Sequence, residues 1–194
     1  MTNHLIDVTG ETAFAVDREA LDGLDRRKDF YWLDLHGPSA DELDLLGEVY
    51  GFHTLALDDA KSFGQRPKLD PYDGHVFLVV YGAASDEDDL VEVNCFYSER
   101  YLVTVRRDPC PAFAEVRERQ ARRGETVLEP VKVLYRVVDG LVDSFFPTLS
   151  RLDDHMDAIE EGVLSKPGKS RCGGSSTRSA SSSGSGMWSS HSET

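Results

Sequence analysis

The chain reads as a layered α/β or α+β fold. Three observations point there. Residues 76–81, Val-Phe-Leu-Val-Val-Tyr, are continuously apolar with no polar alternation, as in a strand covered by helices on both faces. Two further strand-like runs, residues 90–97 and 101–106, follow closely. Helical segments with explicit start and stop signals lie between and after the strands, which excludes a plain bundle.

Taken in order, a first strand is expected over residues 12–16, then a charged helical turn or two over 17–24. Residues 30–36 are an aromatic-rich strand ended by Gly37-Pro38. Ser39 and Glu42 make a capping box, Ser39 serving the N3 amide while Glu42 reaches back to the cap. The helix they open sets Leu43, Leu46 and Tyr50 on one face and stops at Gly51. Thr54 is placed to cap the next helix. That helix carries the adjacent carboxylates Asp58 and Asp59 and ends near Gly64, ahead of the basic corner Arg66-Pro67-Lys68. The unbroken apolar strand, residues 75–82, is expected at the centre of the sheet. After a solvated acidic turn at 84–89, residues 90–97 and 101–106 form a hairpin around Ser98-Glu99-Arg100, completing a three-strand meander. Pro111 suits the first turn of a helix ending near Gly124.

From Pro130 onward, Val131, Tyr135, Val138, Val142, Phe145, Leu149, Leu152, Met156, Ile159 and Val163 follow alternating spacings of four and three. This is a heptad seam, and the helix would be about 50 Å long with a kink at Pro147. A seam that long needs a partner helix; packing on the domain's own sheet could account for its first half. Residues 167–194 include 11 serines and five glycines, a linker or disordered composition. The expected divisions are therefore 1–128, 129–166 and 167–194.

Net charge is −14, and the residues from Lys166 onward hold four basic side chains and one acidic, so the body is more acidic than the whole. Such a body repels nucleic acid and anionic membrane surfaces and attracts cations. Cys95, Cys110 and Cys172 form neither a disulfide framework nor a Cys-x-x-Cys motif, and Cys95 fits a core position. No signal peptide or membrane span is legible, so a soluble, cytosolic chain is expected. Enzyme readings find no nucleophile elbow, phosphate-cradling glycine loop or His-Glu-x-x-His motif. His36, His53 and His75 sit at element ends as turn or capping residues, and Arg66 and Lys68 are expected to pair with carboxylates such as Asp70 and Asp73.

Asp58 and Asp59 are adjacent on one helix, and Asp139 and Asp143, four apart, share a face of another. Carboxylates from different elements suit Mg²⁺, which keeps most of its water and takes one or two protein oxygens. The alternative is a solvated acidic face, as for Asp153, Asp154, Asp157, Glu160 and Glu161 along the long helix.

The order Phe-His-Thr-Leu-Ala-Leu-Asp-Asp-Ala (52–60), Gln-Arg-Pro-Lys (65–68), Val-Phe-Leu-Val (76–79) and Leu-Tyr-Arg-Val-Val-Asp-Gly-Leu-Val-Asp-Ser-Phe-Phe (134–146) resembles the cytosolic N-terminal domain of CorA-type magnesium/cobalt transporters. The resemblance spans most of residues 28–166. It implies an α/β/α domain, a mixed sheet sandwiched by helices, followed by one long helix. It also implies a pentamer in which Mg²⁺ (Co²⁺ being the other ion of the family) bound between neighbouring domains holds a pore closed. Asp59 matches the family's acidic ligand at that interface, Asp58 stands where glutamate is frequent, and Asp139 matches an acidic residue near a second regulatory ion. Thr54 replaces a proline common there. The family's second paired helix, stalk helix, transmembrane helices and Gly-Met-Asn signature do not follow Pro167, so the expectation is a truncated, cation-sensing regulatory domain without its pore. The rival reading is a soluble acidic binding module that pairs through the heptad helix.

Overall fold

The structure, a computed structural model, describes residues 3–84, 89–122 and 128–165. Within them, strands β1 (Asn3–Asp7), β2 (Gly10–Phe14), β3 (Tyr31–His36), β4 (Lys68–Tyr72), β5 (His75–Ala83), β6 (Leu90–Tyr97) and β7 (Tyr101–Arg106) form one sheet in the order β2-β1-β3-β7-β6-β5-β4. All neighbours pair antiparallel except β3 and β7, which are parallel, so the sheet is mixed as expected. The helices are α1 (Arg18–Asp25), α2 (Ala40–Tyr50), α3 (Thr54–Ser62), α4 (Pro111–Arg122), α5 (Pro130–Asp143) and α6 (Phe146–Ser165).

Two apolar layers hold the helices to the sheet. On one face Tyr31, Leu33, Leu35, Phe77, Val79, Phe96, Val103 and Val105 meet side chains of α1, α2 and α3, including Leu21, Leu43, Leu46, Ala56, Leu57 and Ala60. On the other, Trp32, Val91, Val93, Cys95 and Leu102 meet α4 and α5 through Phe113, Val116, Val133, Val137 and Leu141. Alternate residues of each strand serve opposite layers, which is why β5 shows no polar alternation. Burial pushes the Cys95 thiol up to about 12, consistent with an inert core residue.

Local signals held where their hydrogen bonds are local. The Ser39–Glu42 capping box is present in full, and Gly51 ends α2 in the left-handed region at φ 67°. Other expectations are corrected. The cap of α3 is His53, not Thr54: its Nδ1 accepts from Leu55 N at 3.2 Å. The first strand expected at 12–16 lies at Gly10–Phe14, paired with an unanticipated β1. β4 was also unanticipated because it contains Pro71, which an edge strand tolerates. β5, expected at the centre, is next to that edge, and β7 occupies the middle.

The helical stretch after Pro130 is interrupted by a turn at Ser144-Phe145, just before Pro147. Proline has no N–H for the carbonyl four residues back and its ring crowds that carbonyl, which accounts for the break. The sheet-facing stripe of α5 is Val133, Val137, Gly140 and Leu141, not the heptad seam. Val131, Tyr135, Val142, Leu149, Leu152 and Met156 of the seam are exposed. Close approach selects the stripe, since Gly82 sits against Leu141 and Gly140 against Val116.

The chain divides into two compact units, Met1–Met156 and Asp157–Thr194. The first contains the sheet. Of the second, residues 157–165 are described and are helical, with Ile159 and Val163 exposed. The expectations for the acidic turn at 85–88, for the helix end near Gly124 and for residues 167–194 fall outside the described residues.

Candidate functional site

α3 lies on the sheet through Ala56, Leu57 and Ala60, which leaves Asp58 exposed and Asp59 half-buried at its flank. Lys68, the first residue of β4, places Nζ 2.6 Å from Asp59 Oδ2 and 2.8 Å from Asp70 Oδ2. The Lys68 pKa is raised, first by its hydrogen bond to Asp59 and then by that to Asp70. The basic corner therefore does pair with Asp70, and its more consequential partner is Asp59.

The loop joining α3 to β4 is held by Glu92 of β6. Its Oε2 accepts from Gly64 N at 2.6 Å and Gln65 N at 3.0 Å, with Tyr81 Oη at 2.9 Å. Charge-assisted bonds to two successive amides hold the end of α3, and with it Asp59, in place. Phe63, just before this anchor, and Gly64, within it, have positive φ of 56° and 78°.

Asp139 and Asp143 are exposed on α5. Tyr135 donates to Asp139, which raises the Tyr135 pKa. Asp143 borders a cavity of about 390 Å³ with Glu115, Arg119, Ser144 and Arg151. Asp139 borders another of about 350 Å³ between α4 and α5, with Arg119, Lys132 and Arg136. Basic side chains thus share both cavities with the carboxylates.

The structure brings each aspartate pair together locally but keeps the pairs apart. α3 packs on one face of the sheet and α5 on the other. Among the described residues, no group of three or more His, Cys, Asp or Glu is arranged to hold a metal ion.

A buried charge cluster went unrecognised in the sequence. Asp34 of β3 is fully buried; its Oδ2 accepts from Arg106 Nη2 at 3.0 Å and Arg117 Nη1 at 2.5 Å, and its Oδ1 accepts from Thr104 Oγ1 at 3.0 Å. Arg117 also donates to Glu11, which contacts His4 at 2.7 Å, so the network ties α4 to β1, β2, β3 and β7. The available signal was a carboxylate inside the run Tyr31-Trp32-Leu33-Asp34-Leu35, where a strand covered on both faces must pair any charge it carries.

The family of CorA-like Mg²⁺ transporter proteins matches residues 27–172. The chain belongs to that family. It is 36% identical over 133 residues to YfjQ of Bacillus subtilis, named as a candidate metal ion transporter; the match covers 68% of this chain and 42% of that one. It is 30% identical over 146 residues to the cobalt/magnesium transport protein CorA of Thermotoga maritima, covering 71% of this chain and 41% of that one. The complete CorA magnesium transporter of Methanocaldococcus jannaschii superposes with a TM-score of 0.65 at 15% identity, over 87% of this chain and 53% of that one, a likeness of fold. The chain thus spans about two-fifths of the length of these two curated relatives. The family is one of transporters rather than enzymes. Among the described residues, no helix is long and apolar enough to cross a membrane.

Proposed function

We propose that this CorA-like chain is the divalent-cation-sensing region of a magnesium/cobalt transport protein, exposed to the cytosol and acting through contacts between copies. Asp58 and Asp59 of one copy would meet Asp139 and Asp143 of the next around a hydrated Mg²⁺ or Co²⁺. The observation carrying this reading is the position of the two aspartate pairs on opposite faces of one sheet. A cation shared by both pairs needs a second chain, and a mostly hydrated ion suits such an exposed, divided ligand set. The exposed seam from Val131 to Met156 supports a further helical contact, from another copy or another segment.

Sedimentation and thermal unfolding across millimolar Mg²⁺ test the proposal. Mg²⁺ should promote self-association and raise Tm, and Asp59→Ala and Asp139→Ala should each remove most of both responses. A response unchanged in both variants, or reproduced by monovalent salt at equal ionic strength, would overturn it.

A further inference from the structure

The start of α3 is joined to the β4–β5 hairpin by stacked rings that include two histidines. The His53 ring stacks on Tyr72 at 4.5 Å and 17°, and Tyr72 stacks on His75 at 5.3 Å and 24°. His75 also meets Phe52 at 5.2 Å, and Phe52 stacks on Phe96 at 4.1 Å. A proton on either ring would act through the cap and the buried site rather than through the stacking itself. His53 Nδ1 accepts the Leu55 amide that caps α3, and a protonated nitrogen cannot accept. His75 is 5% exposed and its Nε2 has no hydrogen-bond partner, so a proton there would place an unpaired charge among aromatic rings.

We propose that the His53–Tyr72–His75 array is a pH-sensitive latch: protonation removes the cap of α3 and loosens the helix from the hairpin. Among the described residues, the groups facing His75 include no carboxylate side chain to stabilise a charge. They are Phe52 and His53 ahead of α3, Tyr72 of β4, the Asp73 backbone carbonyl in the turn and Phe96 of β6, with Tyr101 of β7 behind Phe52. Burial lowers the His75 pKa from the ordinary 6.5, with the Asp73 carbonyl opposing and His53 adding to the shift. The unfolded chain therefore binds the proton more readily than the folded one. Stability is fully present above about pH 6.5 and falls as pH drops from there toward the lowered folded value. Because α3 carries Asp58 and Asp59, acidification would also loosen the helix that presents the proposed cation ligands, although Glu92 and Lys68 still hold its far end; that consequence rests on the cation-sensing reading, whereas the latch itself does not.

Amide hydrogen exchange on the full chain tests the latch without added metal, at about pH 7.5 and about pH 5.5, on either side of the ordinary histidine range. After correction for intrinsic rates, protection of Leu55, Ala56 and Leu57 should fall about fivefold or more in the wild type, the size expected for losing a cap. His53→Asp, whose carboxylate still accepts at both pH values, should hold the cap and remove most of that fall. His75→Phe should remove the remainder and flatten the acid side of the stability profile. Should His75→Phe fail to fold, His53→Asp decides alone, since it is an exposed cap position. Unchanged wild-type protection between the two pH values, or an undiminished fall in His53→Asp, would overturn the latch.

Discussion

Lys68 Nζ lies 2.6 Å from Asp59 Oδ2, so the carboxylate marked by family resemblance as a cation ligand is already neutralised from within the chain. A hydrated Mg²⁺ reaching Asp59 must compete with that ammonium. Lys68→Met should therefore sharpen the Mg²⁺ response, with half-maximal thermal stabilisation at several-fold lower Mg²⁺. Its own stability cost should stay within about 1 kcal/mol, as for partly exposed pairs. A weaker Mg²⁺ response in a folded variant would show that Lys68 positions Asp59 rather than opposing the ion.

Asp34→Ala should be more damaging than any of the other substitutions named. It leaves Arg106, 4% exposed, and the Arg117 guanidinium without their shared carboxylate. Removing one partner of a buried ion network costs about 3–5 kcal/mol, which urea unfolding should report. A cost below about 1 kcal/mol would mean that water or Glu11 replaces the lost charge.

Gly140→Ala should destabilise by about 1–3 kcal/mol, because a new Cβ runs into Val116 Cγ2 and pushes α5 off α4. Gly23→Ala in α1, where a Cβ meets nothing within 4 Å, should be neutral or gain up to about 1 kcal/mol from helix propensity. Thermal unfolding of the two variants separates packing from propensity.

Leu149→Glu combined with Leu152→Glu should leave unfolding stability within about 0.5 kcal/mol, since both side chains are exposed. The same pair should reduce self-association and binding of an apolar dye. A large loss of stability would place the seam against the rest of the chain instead.

How much was legible follows from where each interaction closes. The Ser39–Glu42 box, the Gly51 stop and the hairpin of β6 and β7 depend on hydrogen bonds within a few residues or across one turn, and the sequence displays them. The cap of α3 was misplaced by one residue because a histidine nitrogen can do what a hydroxyl usually does. The pairing of β1 between β2 and β3 left no local mark, since its strand energy comes from neighbours brought in by the fold. The anchoring of Gly64 and Gln65 by Glu92, 28 and 27 residues away, was invisible for the same reason.

By itself the sequence determined the family, the mixed helix-covered sheet and the existence of two aspartate pairs, because these rest on local pattern and motif order. Tertiary structure decided which of two apolar stripes on α5 faces the sheet. The heptad seam is legible at helical spacing, but only the stripe bearing Gly140, and opposite Gly82, allows close approach. It also decided that Asp58 and Asp59 lie across the sheet from Asp139 and Asp143. That separation is set by which layer each helix joins, a choice made by the long-range burial of apolar neighbours such as Leu57 and Leu141 rather than by the aspartates themselves.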